Sequence, residues 1–191
     1  MVRRQLQMFR AGRTFGADPR IKAGRDAVPG QDYNASVPVK LLEFTLGAER
    51  YGIPVELVAS IARAVAITRL PGAPPIVEGA INVRGTLVPV YDVRRRLGAS
   101  AQPLSPSELL ILVWARGRLA AFRADAAEVI AVEDSAIAPA SDLARTPPYL
   151  SAVTPTTSGL VVIADPGAFL TEAEESSLRA ALALVDEPPP A

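Results

Sequence analysis

The chain has 191 residues, 49% hydrophobic and 21% charged, with 20 basic and 20 acidic side chains; this is enough apolar material for one well-buried domain of ordinary soluble composition. It has no cysteine and no histidine, which excludes a disulfide framework, thiolate chemistry and the commonest general base and metal ligand. The charge is uneven: residues 1–40 carry 8 basic and 3 acidic groups, a net of +5, and the other 12 basic and 17 acidic groups leave the rest at −5, with no overall field to attract nucleic acid.

Residues 1–37 read as a flexible basic extension. Four glycines, with Pro19 and Pro29, interrupt it, and no periodicity is sustained. Val2, Leu6 and Phe9 share one helical face among arginines, the pattern of a weak surface-seeking helix, but a disordered extension accounts for the same residues. No apolar run approaches the ~20 residues that span a bilayer, and no apolar stretch follows the first arginines as in a secretory signal, so a cytosolic location is expected.

Ordered sequence is expected from residue 38. Leu42, Phe44 and Leu46 alternate with polar residues and predict a half-buried strand, which residues 47–50 turn back into Tyr51-Gly52-Ile53. Pro54 suits a first helical position, and Val55, Val58 and Ile61 follow at helical spacing, so a helix of about two turns is expected there. Residues 63–69 read as a further strand, and the prolines of residues 70–75 as an irregular connection. Ile76–Arg84 and Thr86–Tyr91 then form a hairpin turned by Arg84-Gly85. Pro89 cannot donate to a ladder, which places its strand at an edge or a bulge. Asp92 is a helix cap and Gly98 a helix stop.

Residues 99–107 read as a linker, and the second half repeats the style. Leu109–Trp114 is a continuous apolar strand, Arg116-Gly117 turns it into Leu119–Ala124, and Ala126–Val132 is a short helix or strand. A loop over 133–148 leads to a third hairpin, Tyr149–Thr156 with Leu160–Ala164. Asp165-Pro166 starts a turn of helix. Thr171 with Glu174 is a capping box opening a helix over 171–185, whose stripe is Leu178, Leu182 and Val185. The fold expected is mainly β: two small barrels, roughly 39–98 and 108–165, with short helices and the C-terminal helix packed across.

Few groups offer catalysis. Ser60, Ser135 and Ser158 have no histidine to activate them, and the two lysines, Lys22 and Lys40, precede the fold or open it. No phosphate-binding glycine motif occurs. Asp92, Asp125 and Asp165 each follow an apolar strand; a carboxylate metal site is one reading, helix capping the simpler one. Arg94-Arg95-Arg96 suits an acidic partner, or the solvated face of a short helix. Trp114 and Phe122 read as core. No metal and no cofactor are expected.

Phe44-Thr45-Leu46-Gly47, Tyr51-Gly52-Ile53-Pro54-Val55, Ile67-Thr68-Arg69-Leu70-Pro71, Gly79, Asn82-Val83-Arg84-Gly85, Val88-Pro89-Val90 and Asp92 occur in this order. On these motifs residues 44–98 resemble the CheW family of chemotaxis coupling proteins. It continues more loosely, through Ala124-Asp125 and Leu160–Asp165, to about residue 180. It implies two intertwined Src-homology-type β-barrels and a non-catalytic adaptor between a CheA-type histidine kinase, met through its regulatory domain, and the cytoplasmic tip of methyl-accepting chemoreceptors. The expected location is then cytoplasmic, at receptor arrays on the inner face of the membrane. Val58, Gly79 and Arg84 match positions tied to receptor contact, and Asn82 and Gly85 the turn that holds the arginine. Ser60 stands where the family usually carries a contacting glutamate, so the expectation is either a different receptor surface or a chemosensory-like system that controls something other than flagella. The alternatives are a small-barrel nucleic-acid binder using the basic extension, and a hydrolase with a carboxylate metal site.

Overall fold

The computed structural model describes residues 37–100, 102–140 and 147–186; the basic extension and its expected helix lie outside them. Eleven strands form two sheets among the described residues. The first half supplies β1 (Val39–Leu46), β2 (Glu49–Pro54), β3 (Val58–Arg63), β4 (Val77–Val83) and β5 (Thr86–Tyr91). The second supplies β6 (Leu109–Ala115), β7 (Arg118–Ala124), β8 (Ala126–Val132), β9 (Ala138–Pro139), β10 (Leu150–Thr156) and β11 (Gly159–Ala164). The first sheet has the order β8-β1-β2-β11-β10-β9 and the second β3-β6-β7-β5-β4.

These orders are two versions of one plan. Each half makes a hairpin, β1-β2 or β6-β7, and sends its next strand and its last hairpin into the other half's sheet. The one parallel pairing in each sheet falls at the same place, β2 with β11 and β5 with β7. Even the irregularities correspond: the ladder shifts between Val77 and Gly79 in one half and between Leu150 and Ala152 in the other. The fold is mainly β with intertwined halves, as expected. The division at 39–98 and 108–165 is not the division between sheets, because each sheet draws strands from both. Neither sheet closes into a fully hydrogen-bonded barrel among the described residues.

Local readings fail where tertiary pairing overrides them. The helix expected after Pro54 is one 3-10 turn, Val55–Leu57, and Val58–Arg63 is an edge strand on β6. Spacing by three could not exclude this, because β-branched Val58 and Ile61 serve a strand as well as a helix. The strand expected over 63–69 reduces to a bridge between Thr68 and Ala80. Pro89 lies in interior β5, not at an edge, but the parallel pairing to β7 begins only at Val90, so the missing donor falls before that ladder starts.

The main core lies between the sheets. It gathers Phe44, Tyr51, Ile53, Tyr91, Ile111, Val113 and Phe122 with Phe169, Leu170, Leu178 and Ala181 from the C-terminal region. Phe169 packs on Phe122 with ring centroids 4.9 Å apart and on Tyr149 at 5.4 Å. Each sheet also has its own cluster: Ile81, Val88, Val90, Leu110, Leu112 and Ala121 in the second, and Leu41, Val132, Ala152 and Ile163 in the first. Helix α1 (Val93–Leu97) is capped by Asp92, which accepts from the Arg95 N–H at 3.0 Å, and stopped by left-handed Gly98. Helix α2 (Glu172–Asp186) opens on the expected capping box: Glu174 accepts from the Thr171 N–H at 2.8 Å, and Thr171 Oγ1 from the Glu174 N–H at 3.2 Å. Its stripe is Leu178, Ala181 and Leu182; Val185 is 48% exposed and does not belong to it.

Candidate functional site

The charged groups expected at the surface divide. Arg94 is buried, 3% exposed, and pairs with Asp125. Asp125 also accepts from the Gly47 N–H at 2.6 Å, so it ties the β1-β2 turn to α1 and is not a helix cap. Arg123 donates to Glu78 at 2.8 Å and to Glu108 at 2.8 Å, both through charge-assisted bonds. Burial disfavours the charged guanidinium of Arg123, but Glu108 and Glu78 more than offset this and hold its pKa above the ordinary value. Burial likewise raises the Glu78 carboxyl above its ordinary range, against the opposing pull of Arg123. Arg95 donates to the Pro75 carbonyl at 2.7 Å and Arg96 to Glu174 at 2.6 Å. The arginine run therefore braces the fold. Asp92 and Asp165 are caps, Asp165 accepting from the Gly167 N–H at 2.8 Å, and no cluster of metal-ligating side chains occurs among the described residues.

The residues singled out by motif lie in the second sheet. One register row crosses it completely: Ser60 faces Leu112, Leu112 faces Ala121, Ala121 faces Val90, and Val90 faces Gly79. The middle three are buried. Gly79 is buried as well, because the chain after β3 crosses to this edge and Thr68 exchanges two backbone hydrogen bonds with Ala80, at 3.0 and 2.8 Å. A Cβ on Gly79 would fall inside the van der Waals surface of the Thr68 carbonyl oxygen and 2.8 Å from Ile67 Cγ2. Gly79 thus seats the crossover. Val58 packs half-buried on the main core, while Ser60, on the opposite face of β3, is exposed.

Arg84 is built outward. Arg84 and Gly85 both have positive φ, 53° and 88°, the signature of the tight turn whose twist suits a two-residue hairpin. Asn82 Oδ1 accepts from the Gly85 N–H at 2.8 Å and locks the turn. Left-handed backbone costs a branched or long side chain about 1 kcal/mol, and Asn or Gly is the ordinary occupant. Arg116, in the matching β6-β7 turn, has φ 49° and donates from Nε to the Gly167 carbonyl at 2.6 Å. Arg84 is exposed and has no such partner among the described residues.

Strand directions bring these features to one end. β5 and β7 run parallel, so the turns that precede them, 84–85 and 116–117, lie at the same end of the sheet. β3 runs antiparallel to β6 and starts at that end with Val58–Ser60. Trp114, expected in the core, is 49% exposed there, whereas Phe122 is fully buried. An apolar run shows that a strand is buried but not where its end emerges from cover.

The structure is a mainly β chain of two intertwined halves, five strands from the first and six from the second, with exposed turns at one end of the second sheet. Comparison with known proteins makes this specific. Residues 40–174 match the family model described as the CheW-like domain. The chain is 33% identical over 99 residues to the chemotaxis protein CheW of Bacillus subtilis, covering 51% of this chain and 64% of that protein, which is under two thirds of its length. It is 27% identical over 152 residues to the CheW of Klebsiella aerogenes, covering 79% and 89%. Among solved structures it is similar to the scaffolding protein TtCheW of Thermoanaerobacter tengcongensis, with TM-score 0.66 and 28% identity over 72% of this chain and 95% of that one. The chain belongs to the CheW-like domain family.

Proposed function

We infer that this protein is a non-catalytic adaptor of chemotaxis or a related chemosensory system, joining the cytoplasmic tip of methyl-accepting chemoreceptors to the regulatory domain of a CheA-type histidine kinase. Its place is then cytoplasmic, against the inner face of the membrane where receptors cluster. No helix among the described residues is long and apolar enough to cross a membrane. The observation that carries the reading is Arg84: a cation in left-handed backbone, locked by Asn82 and Gly85, with no partner of its own among the described residues. Backbone strain that buys no internal contact is a mark of a functional position.

Arg84 then gives orientation through a charge-assisted hydrogen bond to an acidic group on the receptor, and Val58 gives apolar contact. Ser60 brings no carboxylate, so charge selection on this surface falls to Arg84. Gly79 acts at one remove, by seating the 64–68 crossover against β4. The test is kinase autophosphorylation with receptor fragments, with and without this chain. Addition should raise the rate strongly, and Arg84→Ala should weaken receptor engagement by about 1–3 kcal/mol with folding stability unchanged. Full receptor binding by Arg84→Ala would remove Arg84 from the interface; no stimulation and no kinase binding would remove the adaptor reading.

A further inference from the structure

Trp114 is the unexplained side chain of the second sheet. Every other residue of β6 from Leu110 to Ala115 is buried, yet Trp114 is 49% exposed. By strand alternation it shares a face with Leu110 and Leu112, both in the sheet's own apolar cluster, and it is the last residue on that face before the 116–117 turn. Opposite it on β7 is Leu119, half-buried against the same cluster. Beside it, β3 sets Ser60 opposite Leu112, with Ala59 at the ladder irregularity; both side chains are small and both residues are exposed. Val83, the residue before Arg84, packs on the same cluster at the same end. A half-exposed tryptophan flanked by partly covered apolar side chains, at the same end of the sheet as the exposed Arg84, is the composition of an interface centre.

We propose that Trp114, with Leu119 and the gap left by Ser60, is the apolar anchor of the receptor-docking surface, taking an apolar side chain of the receptor tip next to the acidic group that Arg84 pairs with. This rests on the receptor-coupling reading above and makes Trp114 its specificity-determining residue. The occupant follows from continuity: the anchor and Arg84 belong to one end of one sheet, and a partner that brings a carboxylate to Arg84 covers the indole. An acid at position 60 would place a charge beside an apolar contact; serine removes it.

Trp114 is the only tryptophan of the chain, so the full protein reports on itself. Titration with a tryptophan-free receptor-tip fragment should shift the indole emission to shorter wavelength and protect it from iodide quenching. Trp114→Ala should weaken binding of that fragment about 10-fold or more, and Trp114→Phe, which keeps a ring, about 3-fold or less. If the fragment sediments with the protein while emission and quenching stay unchanged, Trp114 lies outside the docking surface and the coupling reading survives. If the kinase regulatory domain protects the indole and the receptor fragment does not, the assigned occupant is wrong. If neither partner binds, both readings fall together. The fluorescence of the unsubstituted chain decides even where a variant fails to fold.

Discussion

The two halves of the chain end their exchanged hairpins at equivalent places but in different ways. In the first half, Arg84 and Gly85 make a tight turn with positive φ at both positions, and the arginine faces outward. In the second, neither Thr157 nor Ser158 has positive φ, and Gly159 at φ 123° absorbs the twist after them. Thr156 donates to the Gly159 carbonyl at 2.9 Å, and Ser158 donates to the buried Glu43 at 3.3 Å, which also pairs with Arg50. One turn is satisfied inside its own fold; the other carries an exposed charge with no partner among the described residues. The plan is shared, and the turn chemistry is not.

The comparison can be strained from both sides. The largest effect is expected from the charge network of the second sheet. Arg123→Ala removes the guanidinium shared by Glu78 and the 4% exposed Glu108, leaving Glu108 the Ser105 N–H and Arg94 at 3.6 Å, and should cost about 3 kcal/mol in urea unfolding. Arg50→Ala, at the partly open pair of the first sheet, should cost clearly less, since water reaches the 34% exposed arginine. Equal losses would mean that the two sheets carry their buried charge alike.

Gly79→Ala comes next, at about 2–3 kcal/mol by the same measurement, because the crossover backbone occupies the space a methyl group needs. The second half places Ala152 at the equivalent point of its ladder, so the demand for glycine belongs to the Thr68 crossover and not to the repeat. A change below about 0.5 kcal/mol would show that the crossover yields. The caps should agree between halves: Asp92→Ala and Asp165→Ala each remove one side-chain acceptor of a backbone N–H after the equivalent strand and should each cost about 1 kcal/mol.

The smallest effect is in pH. Burial opposes ionisation of Glu174, but the Thr171 N–H and hydroxyl and the Arg96 guanidinium outweigh it and hold the carboxyl below its ordinary value of 4.5. Its contribution, roughly 0.5–1 kcal/mol, is therefore present above that value and lost as pH falls through the lower folded pKa. Glu78, with its pKa raised, acts with the opposite sign. Thermal melts of Glu174→Gln from neutral pH down to about 3 should show a shallower acid loss than the unsubstituted chain; parallel curves would place the acid sensitivity elsewhere.

How far the chain could be read in advance varied with the range of the interactions. The 76–91 hairpin, both aspartate caps and the Thr171–Glu174 box were legible because each needs only partners within a few residues. The Val58–Ile61 segment was misread because its strand exists only by pairing with β6, some fifty residues away. Arg94 looked solvated because Asp125, which pairs with it, is 31 residues distant. Trp114 looked like core because nothing local says that the neighbouring edge strand brings Ala59 and Ser60 to this end of the sheet.

By itself, then, the sequence determined the mainly β composition, the turns, the caps, the lack of histidine and cysteine chemistry and the motif around Arg84, all properties of neighbouring residues. Only the tertiary structure decided that the halves exchange strands, that Gly79 lies under a crossover, that the arginines of α1 brace the fold, and that Ser60, Arg84 and Trp114 share one end of one sheet. Those facts depend on long-range pairing, where burial and hydrogen bonding between distant segments outweigh local preference.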